Sequence, residues 1–161
     1  MNTFAYPATI TPDTGVDGFI VSFVDLLEAT TQAETLADAL EKAVVCLEEA
    51  IAGRIRDNEF VPEPSQANQG NYLVHLSVQM ALKMALYYAI QTTSLTKTEL
   101  ANGLNCDEKE VDCLLDPFEV SQVFRMEKAL QALGHQLVIG SMTKDTTLWV
   151  SMRSNNPSFF S

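Results

Sequence analysis

The ten residues Pro62-Glu63-Pro64-Ser65-Gln66-Ala67-Asn68-Gln69-Gly70-Asn71 carry two prolines and a glycine and, apart from Ala67, are otherwise polar. Neither a period of two nor one of 3.6 runs through them, so they fit neither a strand nor an amphipathic helix and read as a connection. That stretch cuts the chain into two parts, each the size of a small domain. If residues 65–70 are flexible, their typical reach is only about 12 to 15 Å, which keeps the two parts close.

Before the connection the pattern is first that of strands, then that of a helix. Residues 4–11 and 18–23 (the latter Gly18-Phe19-Ile20-Val21-Ser22-Phe23) predict two strands. Between them Pro12-Asp13-Thr14-Gly15-Val16-Asp17 has the Pro, Asp and Gly of a hairpin loop. A shorter third strand is expected near residues 29–32. Thr35-Leu36-Ala37-Asp38 has the spacing of a helix cap. Leu36, Leu40, Ala43, Val44, Leu47, Ile51 and Ile55 then recur at steps of three and four, which predicts a long helix with that face on the sheet. Past the connection, residues 72–78 alternate weakly. Tyr72, Val74 and Leu76 oppose Leu73, His75 and Ser77, which adds a candidate strand and makes His75 structural.

The second part reads as helices. Residues 79–92 predict a helix in which Met80, Met84, Tyr87 and Tyr88 fill a core rather than line a cofactor site. Thr96-Lys97-Thr98-Glu99 is a capping box, and Gly103 and Asn105 keep the helix it opens short. Asp107, with Glu110 three residues on, caps another helix that Pro117 stops. Leu100, Ala101, Leu104, Cys106, Val111, Leu114 and Leu115 have the spacing of a helix-turn-helix, with Leu104, Cys106, Val111 and Leu114 as its shared core. An αα-hairpin with no nucleic-acid role would space them alike. A further helix over residues 121–133, with Val123, Phe124, Met126, Ala129, Leu130 and Leu133 apolar, ends at Gly134. Residues 136–141 and 148–152 then predict a hairpin turning at Lys144-Asp145, followed by a tail over residues 155–161. An unmatched apolar hairpin points to a homodimer or a higher homo-oligomer. The fold class is α+β, with a βββα(β) module over residues 1–64, a linker and candidate strand over 65–77, and a helix-turn-helix domain over 78–154.

Charge narrows the function classes. The chain is formally −11 at pH 7, but residues 1–64 hold three basic groups against twelve acidic ones, a net −9, while the remainder is −2. A field of that sign favours a basic partner and repels nucleic acid. No run approaches the about 18 apolar residues of a membrane span, and residues 1–6 lack the basic start of a signal peptide, so a cytoplasmic protein with no membrane partner is expected. Cys46, Cys106 and Cys113 form no CxxC pair and are expected reduced and buried, with no metal and no cofactor. Asp13, Asp17, Asp25 and Glu28 are the one carboxylate group from which a metal-dependent nuclease could be built; three sit in turn-like segments, so no enzyme is expected. The candidate DNA face comprises Lys97, Thr98, Glu108, Lys109, Asp112, Gln122 and Arg125, and the recognition helix is poor in the cations that phosphates require.

The order of elements and several strings together resemble the HicB-type antitoxins of bacterial toxin-antitoxin pairs, in the variety with a C-terminal helix-turn-helix. In the first part the resemblance rests on Pro12-Asp13, the run Gly18 to Phe23, Asp25-Leu26, Thr31-Gln32, Thr35-Leu36, Ala39-Leu40 and Pro62-Glu63-Pro64-Ser65. In the second it rests on Leu82-Lys83-Met84-Ala85-Leu86-Tyr87, Lys97 to Leu104, Asp107 to Asp112, Leu114-Leu115-Asp116-Pro117 and Ala129 to Gly134. The chain departs from the family at Phe23-Val24-Asp25-Leu26-Leu27-Glu28, where Phe-Pro-Asp-Leu-Pro-Gly is usual, and at Ala33, which replaces a glycine. The resemblance implies a partial ribonuclease-H-like first module that masks a small basic mRNA-cleaving toxin (HicA-like), with Asp13, Asp17, Asp25 and Glu28 as candidate contacts. It implies a second module that dimerises and represses its own operon by binding operator DNA. The alternative is a stand-alone DNA-binding transcriptional regulator with another protein partner, distinguished by whether a short basic reading frame adjoins the gene.

Overall fold

The computed structural model describes residues 4–140 and 149–154. The fold is mixed α and β, an antiparallel sheet first and helices after it, and the chain divides into two compact units at Ser77 and Val78.

In the first unit, β1 (Ala5–Pro12), β2 (Phe19–Phe23), β3 (Thr30–Ala33) and β4 (Tyr72–His75) form one sheet in the order β3-β2-β1-β4. All three pairings are antiparallel, and the register sets Ala8 opposite Phe23, Ile10 opposite Val21 and Tyr6 opposite Val74. Because side chains alternate along a strand, this register puts Tyr6, Ala8, Val21, Phe23 and Val74 on one face, and all five are buried. α1 (Leu36–Arg56) packs on the sheet, its first turn capped by Thr35, whose side chain accepts from the Asp38 amide at 3.2 Å.

The buried stripe of α1 is Ala39, Ala43, Leu47, Ile51, Ala52 and Ile55, which corrects the predicted face: Leu36 and Leu40 are exposed. Two alanines at the N-terminal half let the helix approach the sheet closely, which moves the contact line off the flanking leucines. Gly18 precedes β2 for a related reason. A Cβ there would stand 2.7 Å from the backbone oxygen of Ala33, inside any permitted contact.

The stretch 62–71 is irregular, but it is tied to this unit. Tyr6 Oη donates to the Pro62 carbonyl at 2.7 Å, Ser65 donates through its amide and hydroxyl to Asp25 Oδ2 at 3.0 and 3.2 Å, and Asn71 Nδ2 donates to Thr9 Oγ1 at 3.3 Å. It then feeds β4 into the sheet edge beside β1.

The second unit has α2 (Val78–Thr92), α3 (Lys97–Leu104), α4 (Glu108–Leu115) and α5 (Val123–Ala132). β5 (His135–Gly140) pairs antiparallel with β6 (Trp149–Ser154). The turn expected at Lys144-Asp145 and the tail over 155–161 lie outside the described residues. α5 buries Met126, Ala129 and Leu130. Val123 and Phe124, read as part of that face, are exposed instead, and Lys128 sits over the Phe124 ring at 4.8 Å. Their partners at helical spacing are Glu127 and Lys128, so the first turn presents that side to solvent.

Candidate functional site

The four carboxylates singled out from the sequence do not converge. Asp13 and Asp17 sit in the β1–β2 loop, while Asp25 and Glu28 sit in the β2–β3 turn, at the other end of β2. Five residues of strand separate the two ends by roughly 17 Å, too far for one metal or one shared proton. Three of the four are engaged locally: Asp13 Oδ1 accepts from the Gly15 amide at 2.9 Å, Asp25 holds Ser65, and Glu28 pairs with Arg54. The Arg54 guanidinium holds the Glu28 carboxyl below the usual carboxylate range, against a smaller upward push from burial. Arg54 also donates to the Phe60 carbonyl at 2.8 Å. Among the described residues no group of three or more His, Cys, Asp or Glu is placed to hold a metal.

The remaining cations of this unit are engaged as well. Arg56 pairs with Asp57 at 2.9 Å, and Lys42 donates to the Gln32 carbonyl at 3.1 Å.

The second unit does bring its candidates together, because α3 and α4 are joined by a tight turn. Thr96 accepts from the Glu99 amide at 3.2 Å while the Glu99 carboxylate takes the Thr96 amide at 2.7 Å, the reciprocal cap that the sequence predicts. Asn105 ends α3 in the left-handed region with φ 52°, which asparagine tolerates better than most residues, and Asp107 caps α4 through the Glu110 amide at 2.8 Å. Leu100, Ala101, Val111 and Leu114 are buried where the helices meet. Leu104 and Cys106, expected in that core, are only half-buried because they flank the exposed Asn105 turn. Cys113 is exposed rather than buried, on the outer side of α4.

The polar residues of this face bind one another. Lys97 on α3 pairs with Asp112 on α4, Arg125 on α5 pairs with Glu110 on α4, and Thr98 donates to Glu108 at 2.5 Å. Lys109 is exposed and Gln122 is the N-cap residue of α5, its side chain making no capping bond.

Sequence reasoning missed the polar centre of this unit. Lys83 on α2 is 2% exposed, and its ammonium donates to the carbonyls of Cys113 and Leu114 at 3.0 and 2.9 Å and to Ser121 Oγ at 2.7 Å. One turn earlier, Gln79 Nε2 donates to the Ser121 carbonyl and its Oε1 accepts the Ser121 amide at 3.3 Å. Lys83 therefore caps the C-terminal end of α4, where backbone carbonyls lack helical partners and the helix dipole favours a cation. Burial pulls its pKa down, and Asp116 is the first of the groups pulling it back up. One signal was available: a single charge inside the apolar run Met80-Ala81-Leu82-Lys83-Met84-Ala85-Leu86.

Against known proteins, residues 5–85 match the family described as the HicB-like antitoxin of bacterial toxin-antitoxin systems. The chain belongs to the HicB family of antitoxins. It is 34% identical over 132 residues to Antitoxin HicB of Escherichia coli, covering 82% of this chain and 95% of that one. It is 36% identical over 134 residues to Antitoxin HicB 1 of Photorhabdus laumondii, covering 83% and 84%. A third relative, Antitoxin HicB of Pseudomonas fluorescens, is 27% identical over 120 residues, covering 74% and 82%. Among the described residues no helix of this antitoxin is long and apolar enough to cross a membrane.

Proposed function

We propose that this antitoxin neutralises a small basic ribonuclease of the HicA type with its first unit and represses its own operon with its second, acting in the cytoplasm as a homodimer or larger homo-oligomer. The observation that carries the reading is the charge of the first unit. Residues 1–64 hold twelve acidic groups against three basic ones. Each of those three cations is already bonded within the unit. The outward field is therefore that of the excess carboxylates, which attracts a basic protein and raises its rate of encounter.

A sheet ordered β3-β2-β1-β4 with α1 across one face supports a partial ribonuclease-H-like fold. The buried Ala101 between α3 and α4, the sharp turn at Asn105 and the two capped helix starts support a helix-turn-helix with α4 as its recognition helix. With Lys97 and Arg125 paired to carboxylates, Lys109 is the cation of this face most available to phosphate, so affinity per subunit is modest and a dimer placing two copies of α4 about 34 Å apart is required.

The test is co-expression of the full chain with the product of the short basic reading frame adjoining its gene. Restored growth and co-purification are expected, and failure of both sinks the toxin reading. A gel shift on the DNA upstream of the gene tests the repressor reading separately, with no shift at low salt counting against it.

A further inference from the structure

We infer that Val24, Leu27 and Phe60, framed by carboxylates at one end of the first unit, form the face on which the basic toxin docks. The inference rests on the toxin-binding reading above and gives it a place. The β2–β3 turn and the segment after α1 are far apart in sequence, yet they are bonded side by side. Arg54 donates both to Glu28 in the turn and, at 2.8 Å, to the carbonyl of Phe60, while Asp25 in the turn accepts Ser65. Val24, Leu27 and Phe60 ride on these two tethered segments and remain 61%, 81% and 77% exposed.

The same turn buries Leu26 completely, so it divides its leucines, one to the core and one to solvent. Single exposed apolar residues are ordinary on a protein surface. Three large ones on two segments that Arg54 bonds together are grouped at one end of the unit, and grouped exposed apolar residues mark contact sites.

The occupant follows from charge. Asp57, Glu59 and Glu63 share the segment of Phe60 and Asp25 and Glu28 the turn of Val24 and Leu27, five carboxylates against Arg54 and Arg56, so a net negative charge remains with Glu28 and Asp57 paired. An apolar centre inside an acidic rim matches a partner that offers an apolar anchor among lysines and arginines. A second copy of this face would bring like charges together, and nucleic acid would be repelled. Asp25 and Glu28 serve this face in two ways, holding the two segments together and lending their charge to its rim.

The experiment titrates the full-length antitoxin with the product of the adjoining basic reading frame. L27A and F60A are each expected to weaken binding at least about tenfold, as for central anchors of an interface, and L27E/F60E at least about a hundredfold. V16E, whose residue is also exposed, at 66%, but lies in the β1–β2 loop, is expected to stay within about twofold, and thermal melts of all variants establish that they fold. If the wild type binds and L27A, F60A and L27E/F60E bind as tightly, the docking face is overturned while the toxin reading stands. Loss of binding in V16E with retention in L27E/F60E overturns it in the same way. If the wild type does not bind, the toxin reading fails and takes this inference with it.

Discussion

Lys83 shows how much one side chain can organise. Its three short bonds tie α2 to the end of α4, and a buried carbonyl that loses its donor bears the full cost of desolvation. Lys83→Met keeps the stem and removes the donors, so it should destabilise the second unit by about 2 to 3 kcal/mol, read from urea unfolding followed by far-UV circular dichroism. Gly18 makes the corresponding demand in the first unit: Gly18→Ala forces the β2–β3 edge apart and should cost on the order of 1 to 3 kcal/mol, seen as a lower Tm with operator affinity unchanged. Neither role was legible from the sequence as a role. A lysine in an apolar run announces only that something must receive it, and its acceptors lie some thirty residues away.

At the scale of elements, α4 is held from both sides by pairs that also occupy the cations of the proposed DNA face. Asp112→Asn frees Lys97, and Glu110→Gln frees Arg125, while each removes a negative charge from the proposed DNA face. Both should tighten operator binding severalfold in gel shifts at matched salt, because such exposed pairs contribute only about 0.2 to 1 kcal/mol to stability. Lys109→Ala should weaken binding to all DNA sequences and flatten the salt dependence by about one unit of slope. The same change at Lys97 should do less. Helix ends were legible in advance because caps act within four residues: Thr35, Thr96 and Asp107 each bond an amide three positions on. Helix faces were less so. Leu36, Leu40, Val123 and Phe124 fit an apolar stripe by spacing, and only the neighbouring surface decides which edge of a stripe is covered.

For the whole molecule, stability should fall as the solution is acidified from pH 7 toward 5. Burial lowers the pKa of both His75 and His135, and His135 Nδ1 has no hydrogen-bond partner among the described residues. The unfolded chain therefore takes up protons on these rings first, below about pH 6.5, and that uptake draws the equilibrium toward unfolding until the folded-state values are passed. Thermal melts at pH 7 and 5.5 check this, and the difference should shrink in His75→Gln/His135→Gln. The sequence alone determined the order of strands and helices, the caps, and the excess of acid in the first half. These follow from local hydrogen bonding, residue periodicity and simple counting. Tertiary structure alone decided that residues 62–71 are bonded to the sheet, that Asp25 and Glu28 are spent on Ser65 and Arg54, and that Leu27 and Phe60 share one end of the unit. The reason is separation along the chain. Asp25 meets a partner forty residues on, and no local pattern records which distant group a folded chain will bring to a charge.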